Sequence, residues 1–152
     1  MSDVREKLAE LGLTLPEAAK PVAAYVPAIR TGNIVFTAGQ LPLVDGNMVA
    51  TGKVGRDVTV EHAKKLAEIC ALNCLAAVAT VADLNKVGKI IRVVGYVNGI
   101  PGFINQPAVI NGASELFLRI WGEAGKHARS AVGIAELPMD APVEIELTVE
   151  LC

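Results

Sequence analysis

The chain has 152 residues and a net charge of −2, and it is 52% apolar with only 4% aromatic residues. That length fits one domain over 1–152, burying roughly 70% of its unfolded surface in a core of Ala, Val, Ile and Leu. The composition argues against three classes: there is no basic tract of the kind that grips phosphate backbones, no apolar run near the ~18 residues of a membrane span, and no apolar signal core in the opening MSDVREKLAE.

Residues 2–11 read as a short helix, with Ser2 placed to cap it, Val4, Leu8 and Leu11 on one face, and Gly12 to end it. TLPEAAKPVAAYVPAIRTG holds three prolines and is expected to be mostly extended. Ile34 to Thr37 reads as a strand running into a Gly-Gln turn, and Asp45-Gly46 is a hairpin signal. From Thr59 to Thr80 the pattern turns helical, with Ala63, Leu66, Ala67, Cys70, Ala71, Cys74, Leu75 and Val78 forming a wide apolar stripe. KIIRVVGYVN, 89–98, is a β-branched strand, and GIPGFINQP reads as a loop. A second amphipathic helix is expected from Asn111 or Gly112 to Glu123, ended by Gly125. A short strand at 131–135, a Leu137-Pro138 turn and a strictly alternating strand at 143–151 complete the chain.

This order predicts an α+β layer pair, one mixed sheet with both long helices on one face. The other face carries Glu144, Glu146 and Glu150 of the last strand, because alternate residues share a side. That face needs cover, and the mean hydropathy of +0.44 suggests apolar surface buried between subunits.

Few motifs carry chemistry. GNMVATGKV fails as a phosphate loop, with five residues between Gly46 and Gly52 and Val54 where Ser or Thr is required. Cys70 and Cys74 share a helix face and read as core residues rather than metal ligands. Cys152 is terminal and expected to be loose. Three cysteines without a framework spacing suggest a reducing, cytoplasmic setting. Ser130 lies close to His127 in sequence but reads as part of a solvated loop, and Tyr25 as a half-buried tyrosine. Read alone, the glutamates are the wet face of a strand and Arg129 a surface ion-pair partner.

ARSAVGIAELPMDAPVEIEL resembles the C-terminal signature of the RidA/YjgF family, the reactive-intermediate imine deaminases. AAYVPAIRTGNIVFTAGQLPL, the Thr59–Thr80 helix with KIIRVVGYVN, and VIN at 109–111 resemble three further segments, so the likeness runs over about residues 20–150. The resemblance implies a chorismate-mutase-like fold and a homotrimer whose open sheet faces join in a central barrel, with clefts between subunits. It implies that Arg129 binds a substrate carboxylate and that Glu144 holds or activates the attacking water. It places Tyr25 on one wall of the cleft, and Gly39 and Asn111 among its lining. Main-chain groups at Ala131 would also reach a ligand. One subunit's Arg129 and Glu144 are expected to face Tyr25 of the same or a neighbouring subunit in one crevice. Ala131 stands where many relatives have cysteine, which argues against a thiol-based role. The Asn111–Arg129 interval is seventeen residues, about one longer than in the deaminases proper, and the helix at 2–11 is additional; these two departures suggest a divergent branch whose substrate differs.

The implied activity is hydrolysis of small 2-imino acids to 2-oxo acids and ammonia, with no metal or cofactor. A guanidinium fork suits the carboxylate, and a glutamate suits the water. The competing readings are a non-catalytic trimer that binds small carboxylates or acts like a chaperone and, ranked last, an endoribonuclease. The sequence has neither a basic stripe nor a set of stacking aromatics for RNA.

Overall fold

The computed structural model describes residues 3–21 and 23–152. Helix α1 spans Val4–Glu10. Asp3 caps it, accepting from the Arg5 N–H at 2.7 Å, and Asn85 donates to the same carboxylate at 2.7 Å. That Asn85 bond, with the Arg5 N–H second, holds the Asp3 carboxyl below its ordinary pKa. Ser2, the expected cap, lies outside the described residues. Gly12 follows the helix at φ 72°, where a side chain would be strained.

Strands β1 (Ala28–Thr31), β2 (Ile34–Thr37), β5 (Val87–Val97), β6 (Ala128–Gly133) and β7 (Val143–Leu151) form one sheet in the order β1-β2-β7-β5-β6. Every pair is antiparallel except β5–β6, which is parallel. A parallel pair needs a long crossover, and helix α3 (Gln106–Trp121) supplies it. Strands β3 (Leu43–Val44) and β4 (Asn47–Met48) form the small hairpin that Asp45-Gly46 signals, both turn residues having positive φ.

Helix α2 (Val60–Ala79) begins at Thr59, whose side chain accepts the His62 N–H at 3.1 Å. It packs on β2 and β7, while α3 packs on β5 and β6, so both helices lie on one sheet face. The core between them and the sheet holds Leu66, Cys70, Leu75, Ile110, Phe117, Ile90, Val93, Ile145 and Leu147. Gly112 lets α3 approach α2, since a Cβ there would strike the Lys64 carbonyl. Cys70 and Cys74 are core residues, their thiols facing the carbonyls of Val143 at 3.8 Å and Ile145 at 3.4 Å. Burial pushes the Cys74 thiol up to about 12.

Several boundaries differ from expectation. α3 starts at Gln106, not Asn111 or Gly112, because Pro107 sits in the first turn, where a missing N–H costs nothing. It ends at Trp121 with Gly122 at φ 57°, so Gly122 rather than Gly125 turns the chain. Strand β6 covers 128–133, not 131–135, which puts Arg129 and Ser130 on the strand and not in a loop. Ser130 accepts from the Arg92 guanidinium at 3.0 Å. Cys152 is not loose, since its N–H donates to the Lys86 carbonyl at 2.8 Å. Strand β5 carries register shifts at 87/89 and 90/92, each leaving one extra residue opposite β7.

Candidate functional site

The predicted site residues fall into two groups on opposite sides of the sheet. Arg129 pairs in register with Val93, a core residue of the helix-covered face. Its side chain runs beneath α3, where Nη1 donates to Asn111 Oδ1 at 2.8 Å and to Ser114 Oγ at 3.2 Å. Ala131 is two residues further along and shares that face, half-buried against the core. Asn111, expected at the start of the second helix, stands in its second turn and so reaches β6.

Glu144 belongs to the other face. It pairs with Tyr96, and Glu146 with Val94, on the side away from the helices. Beyond Thr37 the chain leaves β2 and rejoins β7 at Gln40, whose N–H and C=O exchange bonds with Ile145 at 2.8 and 3.0 Å. The Thr37 hydroxyl accepts the Leu147 N–H across the gap, at 3.0 Å. This detour lays Gly39 against Glu144 so closely that any Cβ at 39 would collide with the carboxylate. Burial first, and Glu146 second, raises the Glu144 pKa above its ordinary value. Like-charge repulsion from Glu146 is thus present, as the alternating pattern suggests, but burial outweighs it.

Tyr25 lies near this second group. Its side chain is exposed rather than half-buried, at 53%, in a shallow apolar groove with Ile29, Phe36 and Ala38. Phe36 is 45% and Val132 42% exposed on the same sheet face as Glu144. This is the face for which the sequence demanded cover.

The expectation that one chain brings Arg129 and Glu144 into one crevice is therefore not met. Through Val93, Arg129 is level with Leu147, three residues from Glu144 and two strands away. At about 3.3 Å per residue and about 4.8 Å per strand, their Cα atoms lie roughly 14 Å apart. Their side chains leave the sheet in opposite directions, and one three- or four-carbon ligand cannot touch both.

Two residues complete the Arg129 group: His127, which the sequence reading set aside, and Ser114, which it did not single out. Ser114 Oγ is 2.9 Å from His127 Nε2, and His127 Nδ1 is 2.7 Å from the Gly125 carbonyl. The imidazole edge packs on the Phe117 ring, with centroids 6.1 Å apart. Burial, and then Arg129, lowers the His127 pKa against the Gly125 bond that raises it. Ser114, Leu118, Lys126, His127 and Arg129 line one open groove. The available signal was Asn111, Ser114 and Leu118 at i, i+3 and i+7, which puts two polar residues on a helix face turned toward the sheet. Among the described residues no cluster of three His, Cys, Asp or Glu side chains could hold a metal ion, and no helix is long and apolar enough to cross a membrane.

A mixed sheet with both long helices on one face, its other face lined by acids and exposed apolar side chains, defines an α+β protein of chorismate-mutase-like fold. A family model described as "YjgF/chorismate_mutase-like, putative endoribonuclease" matches residues 5–151, and the chain belongs to that family. It is 40% identical to Protein TCP17 of Trypanosoma cruzi over 97% of this chain and 94% of that one. It is 31% identical to the 2-iminobutanoate/2-iminopropanoate deaminase of Escherichia coli K12, over 82% of this chain and 85% of that one. Among solved structures, the protein Atu1372 from Agrobacterium tumefaciens is similar at TM-score 0.90 and 47% identity, over 98% of this chain and 92% of that one. E. coli TdcF with bound serine is similar at TM-score 0.64 and 26% identity, over 91% of this chain and 94% of that one. Named imine deaminases and a protein that binds an amino acid are thus among its relatives.

Proposed function

We propose that the protein hydrolyses small 2-imino acids to 2-oxo acids and ammonia, in sites that two copies of the chain complete together within a cytoplasmic homotrimer. The observation that carries this reading is the division of the site residues. One surface offers Arg129 with Asn111 and Ala131, and the opposite surface offers Glu144 with Gly39 and Tyr25. A ring of copies related head to tail brings unlike surfaces together at every interface. The exposed Phe36, Ile29 and Val132 supply apolar area for such an interface. The division favours two copies, rather than a single chain, as the source of the two groups.

In this reading the Arg129 guanidinium holds the carboxylate of the substrate in two parallel hydrogen bonds, fixing its plane. Glu144 of the neighbouring copy accepts a proton from water as its oxygen attacks the imine carbon. The C=N bond becomes a C–N single bond, then breaks as the proton passes from Glu144 to nitrogen and the new hydroxyl gives up its own proton, becoming the C=O while ammonia leaves and takes that proton. Water and the protonated imine thereby give a 2-oxo acid and ammonium. A carboxylate with a raised pKa is a stronger base than an ordinary glutamate, so long as it is ionised at the working pH. Tyr25 stands on the Glu144 side and closes the cleft from that wall.

Complementation between two inactive chains tests both the chemistry and the assembly. Arg129→Ala and Glu144→Gln chains are unfolded, mixed in equal amounts and refolded together, and imine disappearance is followed with the 2-oxo acid quantified. Random assembly leaves about a quarter of the sites with both groups intact, so about a quarter of wild-type activity returns. No recovery in a mixed trimer sinks the shared site. Wild-type turnover in either single variant sinks the role of that residue. A second reading, a non-catalytic trimer that binds small carboxylates, draws on the bound serine of TdcF; it predicts binding that depends on Arg129 and no turnover at all.

A further inference from the structure

We infer that Ser114 and His127 are positioning residues that commit one nitrogen of Arg129 to the protein and leave the opposite edge of its guanidinium for a carboxylate. This rests on the reading of Arg129 as the carboxylate binder and names what prepares it.

The inference follows from the polarity of four hydrogen bonds. A carbonyl oxygen can only accept, so the 2.7 Å contact with Gly125 requires a proton on His127 Nδ1. In the neutral ring Nε2 is then a bare acceptor. The group 2.9 Å from it is the Ser114 hydroxyl, which must donate its single proton there. With that proton spent, the Ser114 oxygen presents only lone pairs, and the donor facing them is Arg129 Nη1 at 3.2 Å. The second proton on Nη1 goes to Asn111 Oδ1 at 2.8 Å. Both Nη1 protons are thereby used.

Of the five guanidinium donors, three remain, on Nε and Nη2. Among the described residues neither nitrogen has a hydrogen bond or an ion pair. One N–H from each points the same way along one edge, which is the fork that matches a carboxylate. Burial of His127 against Phe117, with Arg129 close by, favours the neutral ring on which the chain of polarity depends. Ser114 is itself almost fully buried, at 9% exposure. A helical serine ordinarily bonds back to its own preceding turn. Here its oxygen is within bonding distance of His127 and Arg129 instead.

Removing the relay does not remove the charge, so the expected effect is on binding rather than on the chemical step. The test uses pyruvate as the probe, with its Kd measured by calorimetry on the full chain, and KM and kcat from imine turnover. Ser114→Ala and His127→Phe, which keeps the ring's packing, should each weaken pyruvate and raise KM about tenfold, with kcat within about twofold. The double variant should be no weaker than either single one, because both break the same chain of bonds. His127→Gln, which can offer an oxygen to Ser114, should recover to within about threefold of wild type. Nitrogen NMR of the wild-type protein should find the His127 proton on Nδ1.

Full pyruvate affinity in Ser114→Ala and His127→Phe, alongside loss of binding in Arg129→Ala, overturns the relay and leaves the carboxylate site standing. Multiplying losses in the double variant, or a proton found on Nε2, overturns the relay as well. Unchanged pyruvate binding in Arg129→Ala overturns the carboxylate reading itself and the relay with it.

Discussion

Arg129 and Glu144 are held by opposite means. The arginine is fixed by polar partners: Asn111 and Ser114 take one nitrogen, and His127 and Gly125 orient Ser114 in turn. The glutamate is placed by shape, against a Gly39 backbone that would admit no side chain and on a face with Phe36 and Val132 exposed nearby. No hydrogen bond ties its carboxylate among the described residues, and its pKa is raised. The difference fits two roles. A group that only binds is best immobilised, because fixed geometry leaves less entropy to lose on binding. A group that exchanges protons is best left underserved, because each hydrogen bond to its ionised form would lower its basicity.

The sharpest break of that comparison is Glu144→Gln. It keeps the shape against Gly39 and removes the proposed base, so kcat should fall about a hundredfold or more. KM and pyruvate affinity should stay nearly level, since the proposed carboxylate binder, Arg129, is on the other surface. A loss in KM alone would show that Glu144 binds rather than reacts.

Arg129→Lys tests the other half with a smaller expected effect. The charge remains, but an ammonium cannot satisfy Asn111 and Ser114 while offering a planar fork. KM should rise about ten- to thirtyfold with kcat changed less, as titrations of initial rate against substrate will show. An unaffected KM would mean that charge alone suffices and that the polar scaffold around Arg129 has another purpose.

The same asymmetry explains what could be read from the sequence. Val143–Leu151 alternates strictly, and its bounds and the shared face of Glu144, Glu146 and Glu150 follow from period two. Helix α2 was legible for the analogous reason at period 3.6, its bounds Val60–Ala79 lying one residue inside the Thr59–Thr80 read from the pattern. The face of Arg129 was not legible. It depends on a parallel pairing of β6 with β5 that no local pattern specifies, and two register shifts in β5 disturb the parity that would otherwise connect the strands. The Ser114–His127 contact was hidden too. It spans thirteen residues and needs the helix end at Gly122 and the turn at Gly125 to fold His127 back under α3. The family resemblance pointed to residues 111, 129 and 144, but it carried no information on which of them one chain brings together; the fold joins Asn111 to Arg129 and sets Glu144 on the opposite face.

A pH profile sharpens the glutamate half without touching its position. The Glu144 pKa is raised from its ordinary 4.5, so the ionised base is lost as pH falls through a value above that. The acid limb of kcat should accordingly lie above the ordinary glutamate range. Glu146→Gln removes the second cause of the shift and leaves the first, burial. The limb should move to lower pH yet stay above 4.5, with the plateau rate little changed. A limb that stays in place, or moves up, would assign it to another group.

The smallest effect is expected from Ala131→Cys. Residue 131 shares a face with Arg129, two positions along β6, and pairs with Gly95, where Ile110 of α3 fills the space a side chain would take. A thiol there lies beside Arg129 but adds nothing to the proposed chemistry, in which water is the nucleophile and Glu144 of the other copy is the base. Its extra sulfur must fit among half-buried neighbours, at a cost of about 1 kcal/mol in stability if they resist. Neither kcat nor KM should change by more than about threefold, a small fraction of what Glu144→Gln does. A tenfold gain would mean that a thiol contributes to turnover in this cleft, and the division of labour between the two surfaces would then have to admit a reactive group on the arginine side.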